Sequence, residues 1–202
     1  LTPDVLRARK ALKFDKTDVQ TIPPEPARPA AGAGGAAIAF HRDPVFTAES
    51  INRLSPDDAG RWREFLDAMQ RLSTIFRELN RHPAPPIDNP SKADLWHLFS
   101  TSRRAKSLGK KNLSRLLRYV PMAVADITSE WFGHDLVQAA VASRAVFGHF
   151  AGPWSAGTGA ILLQRLADDP MPVGGGITVA GGPGALTAAL ATVAEQAGAK
   201  IR

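Results

Sequence analysis

The residues whose types and spacing suit chemistry are two glycine-rich runs, five histidines and a band of cations. The later glycine run, Gly181-Gly182-Pro183-Gly184, follows a short apolar stretch, Ile177 to Ala180, and precedes an alanine-rich one, Ala185 to Ala197. Strand, glycine turn and helix, in that order, form the arrangement in which a helix N-terminus receives a dinucleotide pyrophosphate. Gly182 and Gly184 supply two small residues, but Thr187 stands at the third, where glycine lets helix and strand pack closely. As an independent nucleotide site the segment is therefore defective. The earlier run, Gly32-Ala33-Gly34-Gly35-Ala36-Ala37, fits the G-x-G-x-x-A spacing, yet Pro26-Ala27-Arg28-Pro29 precedes it and no amphipathic helix follows. Proline donates no ladder hydrogen bond, so a central strand is ruled out there and the run reads as a loop or linker.

His41, His82, His97, His134 and His149 share no ligand-like spacing, and no H-E-x-x-H occurs, so no metal site is expected. Ser155 and Thr158 sit among glycines without the G-x-S-x-G of a nucleophile elbow. The chain has no cysteine, which removes thiol catalysis, disulfides and cysteine-ligated metals. No residue qualifies by spacing alone as a catalytic acid, base or nucleophile. The cations Arg103, Arg104, Lys106, Lys110, Lys111, Arg115 and Arg118 alternate with Ala105, Leu108, Leu113, Leu116 and Leu117, which suit one buried helix face. A solvated helix face is the ordinary explanation; an acidic partner or an anionic membrane surface is the functional alternative. Scarce aromatics in the band argue against single-stranded nucleic acid. The net charge of +6 attracts anionic surfaces in general and says nothing of fold.

These groups need elements to hold them. At 44% hydrophobic and 22% charged residues, the chain of 202 residues is globular and long enough to bury a core. A short helix is expected around Pro3 to Leu12, then the Pro23 to Gly35 loop, then a strand within Ala36 to Arg42. Thr47 caps an expected short helix through Arg53. Ser55-Pro56-Asp57-Asp58 is a stronger start: serine at the N-cap, proline at the first helical position, acids over the positive end of the dipole. Behind it Trp62, Phe65, Leu66, Met69, Leu72, Phe76 and Leu79 recur at three- and four-residue steps, predicting an amphipathic helix. Ser91 with Asp94 repeats the capping pattern ahead of Leu95, Trp96, Leu98 and Phe99. A basic helix over Arg103 to Tyr119 follows, then helices over Val124 to Phe132, Asp135 to Phe147 and Ala156 to Leu166. Between Ala145 and Leu163 no side chain is formally charged, but repeated glycines and Pro153 point to a buried core segment rather than a membrane span. A final strand–turn–helix unit starts at Ile177, with a second strand beginning beyond Gly198. Neither a signal peptide nor a transmembrane helix is visible; the compartment stays open between cytoplasm and, in a eukaryote, the mitochondrion. The fold class is α+β.

Several segments stand in a specific order: Phe40-His41-Arg42-Asp43-Pro44, Thr47-Ala48-Glu49-Ser50-Ile51, Leu54-Ser55-Pro56-Asp57-Asp58-Ala59, Pro121-Met122-Ala123-Val124-Ala125-Asp126 and Glu130-Trp131-Phe132. Phe150-Ala151-Gly152-Pro153, Ser155-Ala156-Gly157-Thr158, Gly181-Gly182-Pro183-Gly184-Ala185-Leu186 and Gly198-Ala199-Lys200-Ile201 complete the series. Taken together they resemble the phytoene-dehydrogenase-like FAD-dependent oxidoreductases of the flavin amine oxidase group, in the branch that includes the animal pyridine nucleotide-disulphide oxidoreductase domain-containing protein 2. The resemblance implies a mainly helical substrate domain with strand fragments belonging to a discontinuous FAD-binding domain. It divides the chain into an N-terminal segment and linker (1–36), a helical substrate-side domain (37–176) and a return segment into the FAD domain (177–202). With Leu1 in place of methionine and Ile201-Arg202 opening an expected strand, both ends are expected to be cuts through a longer protein. The implied cofactor is FAD, whose main fingerprint is not among these residues; the implied substrate is an apolar or amine-type small molecule. The implied partner is the rest of the FAD domain; from the charge pattern, membrane-surface contact through the basic helix 103–118 is the alternative to a solvated face, and no nucleic acid is expected. Gly181, Gly182 and Gly184 are the implied cofactor-side residues and Ala185 the substrate-side one, because a turn without bulky side chains lets backbone approach a cofactor. The contrasting expectation is a basic helical interaction module without catalysis, binding an acidic partner or anionic surface.

Overall fold

The structure is a computed structural model that describes residues 19–22, 28–80, 86, 88–169 and 178–201. The helix expected at Pro3 to Leu12, His82 and Ile177 lie outside the described residues. In chain order the elements are β1 (Thr21–Ile22), β2 (Arg28–Ala31), β3 (Ala37–Phe40), α1 (Pro44–Asn52), α2 (Pro56–Leu79), α3 (Lys92–Ser107) and α4 (Gly109–Tyr119). They continue with α5 (Val124–Trp131), α6 (Asp135–Val146), α7 (Thr158–Asp168), β4 (Thr178–Val179) and α8 (Gly182–Gln196). The fold is α+β and mainly helical, as expected. Two small antiparallel pairs carry the strands: β2 with β3, and β1 with β4.

Helix α2 organises the body. The Ser55 hydroxyl accepts the Asp58 N–H at 3.3 Å, Pro56 opens the helix, and Asp57 and Asp58 lie in its first turn. Trp62, Phe65, Leu66, Met69 and Leu72 are buried, as the periodicity predicts, whereas Phe76 is half-buried and Leu79 exposed where the stripe runs out. Its rings join a cluster. Phe65 meets Phe132 edge-on with centroids 4.9 Å apart and Trp131 at 5.6 Å, while Trp62 lies 5.7 Å from Phe40. Such pairs contribute about 0.5–1.5 kcal/mol beyond their burial. Helices α1, α3 and α7 pack on α2, and α6 packs on α7.

Two polar devices lock the body. The Asp58 carboxylate, 2% exposed, accepts the N–H groups of Gly133 and His134, each at 2.8 Å, and so fastens α2 to the α5–α6 turn. At the start of α7, the Gly157 and Gly159 N–H groups donate to the Pro121 and Met122 carbonyls, both at 2.9 Å, and the Thr158 hydroxyl accepts from Val124 N–H. Gly159 permits this approach, since a Cβ there would lie 2.1 Å from the Tyr119 carbonyl oxygen.

The structure corrects several expectations. Helix α1 starts at Pro44, capped by Asp43, rather than at Thr47. Thr47 instead accepts the His41 N–H at 2.8 Å and donates to the His41 carbonyl, tying α1 to the end of β3. The Gly32 run is a loop, as expected, but as the turn of a β2–β3 hairpin rather than a linker, and Pro29 is tolerated because among the described residues β2 pairs on one side only. The basic helix is two helices, broken where Gly109 takes φ +80°. The Ala145–Leu163 stretch is not buried throughout: Ala145, Leu162 and Leu163 are, but Phe147, Phe150 and Trp154 stand exposed on the loop between α6 and α7. No strand forms at Ala199–Ile201, which have no strand beside them among the described residues.

Candidate functional site

The β4–α8 connection is built from backbone. Val179 and Thr178 pair with Thr21 and Ile22, and the Ala180 N–H donates to the Gln20 carbonyl, so the strand delivers the chain to Gly181. Gly181 and Gly182 then take φ of +81° and +76°, which only glycine adopts readily. Helix α8 starts there with no side-chain cap and no acid in its first turn. The first N–H groups of a helix have no intrahelical acceptor and carry the positive end of its dipole, so an uncapped start suits an anion. Cβ atoms added at Gly182 or Gly184 would meet nothing within 4 Å, leaving the turn open to a bulky group. Thr187, at the third small-residue position, donates its hydroxyl to the Gly184 carbonyl at 2.9 Å and is exposed. A residue larger than glycine is accommodated there because α8 buries none of its residues. Gly181, Gly182, Gly184 and Ala185 are thus contiguous at one turn, and what they bind is a matter of proposal.

The cation band divides by partner. Arg104 is ion-paired with Glu78, Arg118 grips both carboxylate oxygens of Glu130 at 2.7 Å, and the Arg115 guanidinium sits 5.1 Å above the Trp131 ring. Tyr119 donates to Glu130 and accepts from the Trp131 indole at 3.0 Å; burial pushes its phenol above the ordinary tyrosine range, so it stays protonated and able to donate. This network is a strut between α4 and α5. Among the described residues Arg103, Lys106, Lys110 and Lys111 form no ion pair, and all four are exposed. Leu116 is buried as the pattern requires, but Leu117 is 67% exposed and does not belong to the inner face.

One exposed feature escaped the sequence pattern. Leu95, Trp96, Leu98 and Phe99 were expected as the apolar start of a helix, yet all four are exposed, Trp96 at 70%. Four apolar residues in five positions occupy more than one side of a helix, so periodicity alone does not tell the inner side from the outer. No group of three or more histidines or carboxylates able to hold a metal occurs among the described residues. Among the helices of the described residues, none is long and apolar enough to cross a membrane.

Against known proteins, no family model matches the chain, and no solved structure matches it. A curated rat protein (Rattus norvegicus), pyridine nucleotide-disulfide oxidoreductase domain-containing protein 2, is 28% identical over 162 residues, covering 76% of this chain. The chain spans 28% of that relative's length. The relation is distant, and it links this helical body to a protein whose name marks it as an oxidoreductase.

Proposed function

We propose that the chain is the substrate-side part of an FAD-dependent oxidoreductase of the phytoene desaturase and amine oxidase kind. The observation that carries the proposal is the open glycine turn at Gly181–Gly184, delivered by a strand and followed by an uncapped helix, in a chain related to an oxidoreductase. Bound flavin supplies the chemistry by accepting a hydride or electron pair from an apolar or amine-type substrate. The chain's own residues do the rest. The N–H groups of Gly182 and Gly184 face the anionic part of the cofactor, and Ala185 leaves room beside it for substrate. The buried faces of α2, α5, α6 and α7 pack on one another into a core that would hold the surrounding pocket rigid.

The fit is partial. Thr187 in place of a third glycine, and a β4 that among the described residues pairs with β1 alone, mean that these residues complete a flavin site only with a further strand–turn–helix unit. The chain by itself should accordingly fail to retain FAD. The test is to extend the encoding reading frame, express its whole product and record the visible flavin absorbance after heat release. A strand followed by G-x-G-x-x-G upstream, with a yellow product that Gly182→Val renders colourless, supports the proposal. A frame lacking that fingerprint, or a colourless product, overturns it.

A further inference from the structure

Helix α3 carries a stripe that the body does not use. Lys92, Trp96, Phe99, Arg103 and Lys106 follow one another at steps of four, three, four and three residues, which places them along one side of a helix. All five are exposed: Trp96 is 70% and Phe99 57% accessible, and their ring centroids lie 5.8 Å apart. The opposite side holds the buried Thr101 and the half-buried Ala105, so the stripe is the outer face by construction. Beside the rings a groove of about 320 Å³ is lined by Trp96, Phe99, Ser100, Arg103, Arg104 and Ser107. The single acid of α3, Asp94, is occupied in the capping box with Ser91 and lies off the stripe. Two aromatic rings bracketed by cations, with no acid between, form a surface of one chemical character.

We infer that α3 is a docking face for an anionic phospholipid surface. Charge decides for lipid over a covering protein segment: the cations on the stripe make no ion pair among the described residues, and a headgroup layer offers them phosphates at any register. Trp and Phe seat at the boundary between headgroup and acyl chain, while lysine and arginine stems reach up to the phosphates. The groove between the rings and Arg103 is where a headgroup phosphate sits. Lys110 and Lys111 on α4 add long-range attraction. Docking of this kind lies in the interface and needs no membrane-crossing helix. It is independent of whether the chain serves a flavin.

The experiment is flotation of the chain with vesicles of pure phosphatidylcholine or of equimolar phosphatidylcholine and phosphatidylglycerol. The chain should float with the anionic vesicles alone, and less so as salt is raised. R103Q/K106Q should weaken binding about fivefold for each cation, hence about 25-fold together. W96S/F99S should abolish it, whereas W154S, at an equally exposed tryptophan on the loop between α6 and α7, should leave it unchanged. All four substituted positions on α3 are exposed, so unchanged thermal unfolding of these variants serves as the folding control. The inference is overturned if the chain ignores anionic vesicles, if W96S/F99S floats as well as the parent, or if W154S is the variant that fails. A chain that instead self-associates through Trp96 and Phe99 overturns it in favour of a second copy.

Discussion

Helices α2 and α8 begin alike and end up opposite. Each carries a proline in its first turn. The start of α2 is closed by its own side chains: Ser55 caps it, and Asp58 both complements the dipole and holds two N–H groups of the α5–α6 turn. The start of α8 is left on glycines, with neither cap nor acid. Between them, α2 buries ten residues and α8 buries none. The difference separates two uses of a helix terminus. One is sealed from within and spends its apolar face on folding; the other keeps its donors uncapped and buries none of its side chains.

The strongest way to break the comparison is to empty the α2 face. Phe65 is fully buried among Trp62, Trp131 and Phe132, so Phe65→Ala should cost about 3–5 kcal/mol, while Arg63→Ala on the exposed side should stay within about 0.5 kcal/mol. Urea unfolding of the two variants measures the contrast. Equal effects would mean that the stripe is not the core. Leucine gives a cleaner pair. Leu72→Ala should cost about 2–5 kcal/mol, and the same change at Leu190 of α8, 40% exposed, should be close to neutral.

Smaller effects probe how the body is locked. Adding a methyl at Gly159 drives Cβ against the Tyr119 carbonyl and the Ile127 side chain, so Gly159→Ala should cost about 1–3 kcal/mol through overpacking. Gly182→Ala, where nothing lies within 4 Å, meets no such clash and is strained only by its positive φ. Thermal unfolding separates them, and a Gly159→Ala chain as stable as its parent would show that α7 is not seated so tightly. At the capping box, hydrogen bonds from Ser91 hold the Asp94 carboxyl below the ordinary carboxylate range. A depressed carboxyl adds stability above its unfolded pKa and loses it as pH falls through the folded value, so this contribution fades below about pH 4. The fading should be absent from Asp94→Asn, read as α3 helicity by circular dichroism on acidification.

Much of this contrast was legible in the residues. Ser55-Pro56-Asp57-Asp58 and Ser91 with Asp94 announce their caps because a side chain three residues from an N–H has a fixed geometry to satisfy. The absence of such residues before Pro183 was equally readable, and the glycine turn falls where expected. Tertiary choices were not. Nothing local says that Pro29 will sit on a one-sided strand, that Thr47 will bond back to His41, or that the chain will break at Gly109. Nor does the Leu95-Trp96-Leu98-Phe99 run say which of its sides faces the body, since it places apolar groups on several. The role of Gly181, Gly182, Gly184 and Ala185 rests on resemblance, because an open turn states what it admits and not what occupies it.

The smallest effect concerns where protection against exchange resides. Among the described residues the segment 178–201 pairs with the rest through one short strand pair, β1 with β4, whereas the contacts of α8 with β4 lie within the segment itself. Its helix carries Leu186, Leu190 and Val193 among alanines, and none of them is buried. Alanine favours the helical state, so α8 forms readily, but a helix that hides little apolar area opens at little cost. A two-stranded unit is marginal in water and does not raise that cost by much. Amide exchange followed by mass spectrometry should therefore label 178–201 through local opening, while 56–79 exchanges only on global unfolding. Destabilising the body with Leu72→Ala should accelerate exchange in α2 and leave α8 unchanged, because the two do not open together. If α8 proved as slow as α2, it would possess a core of its own in this chain. A self-contained nucleotide-binding unit would then displace the proposed return into a flavin domain.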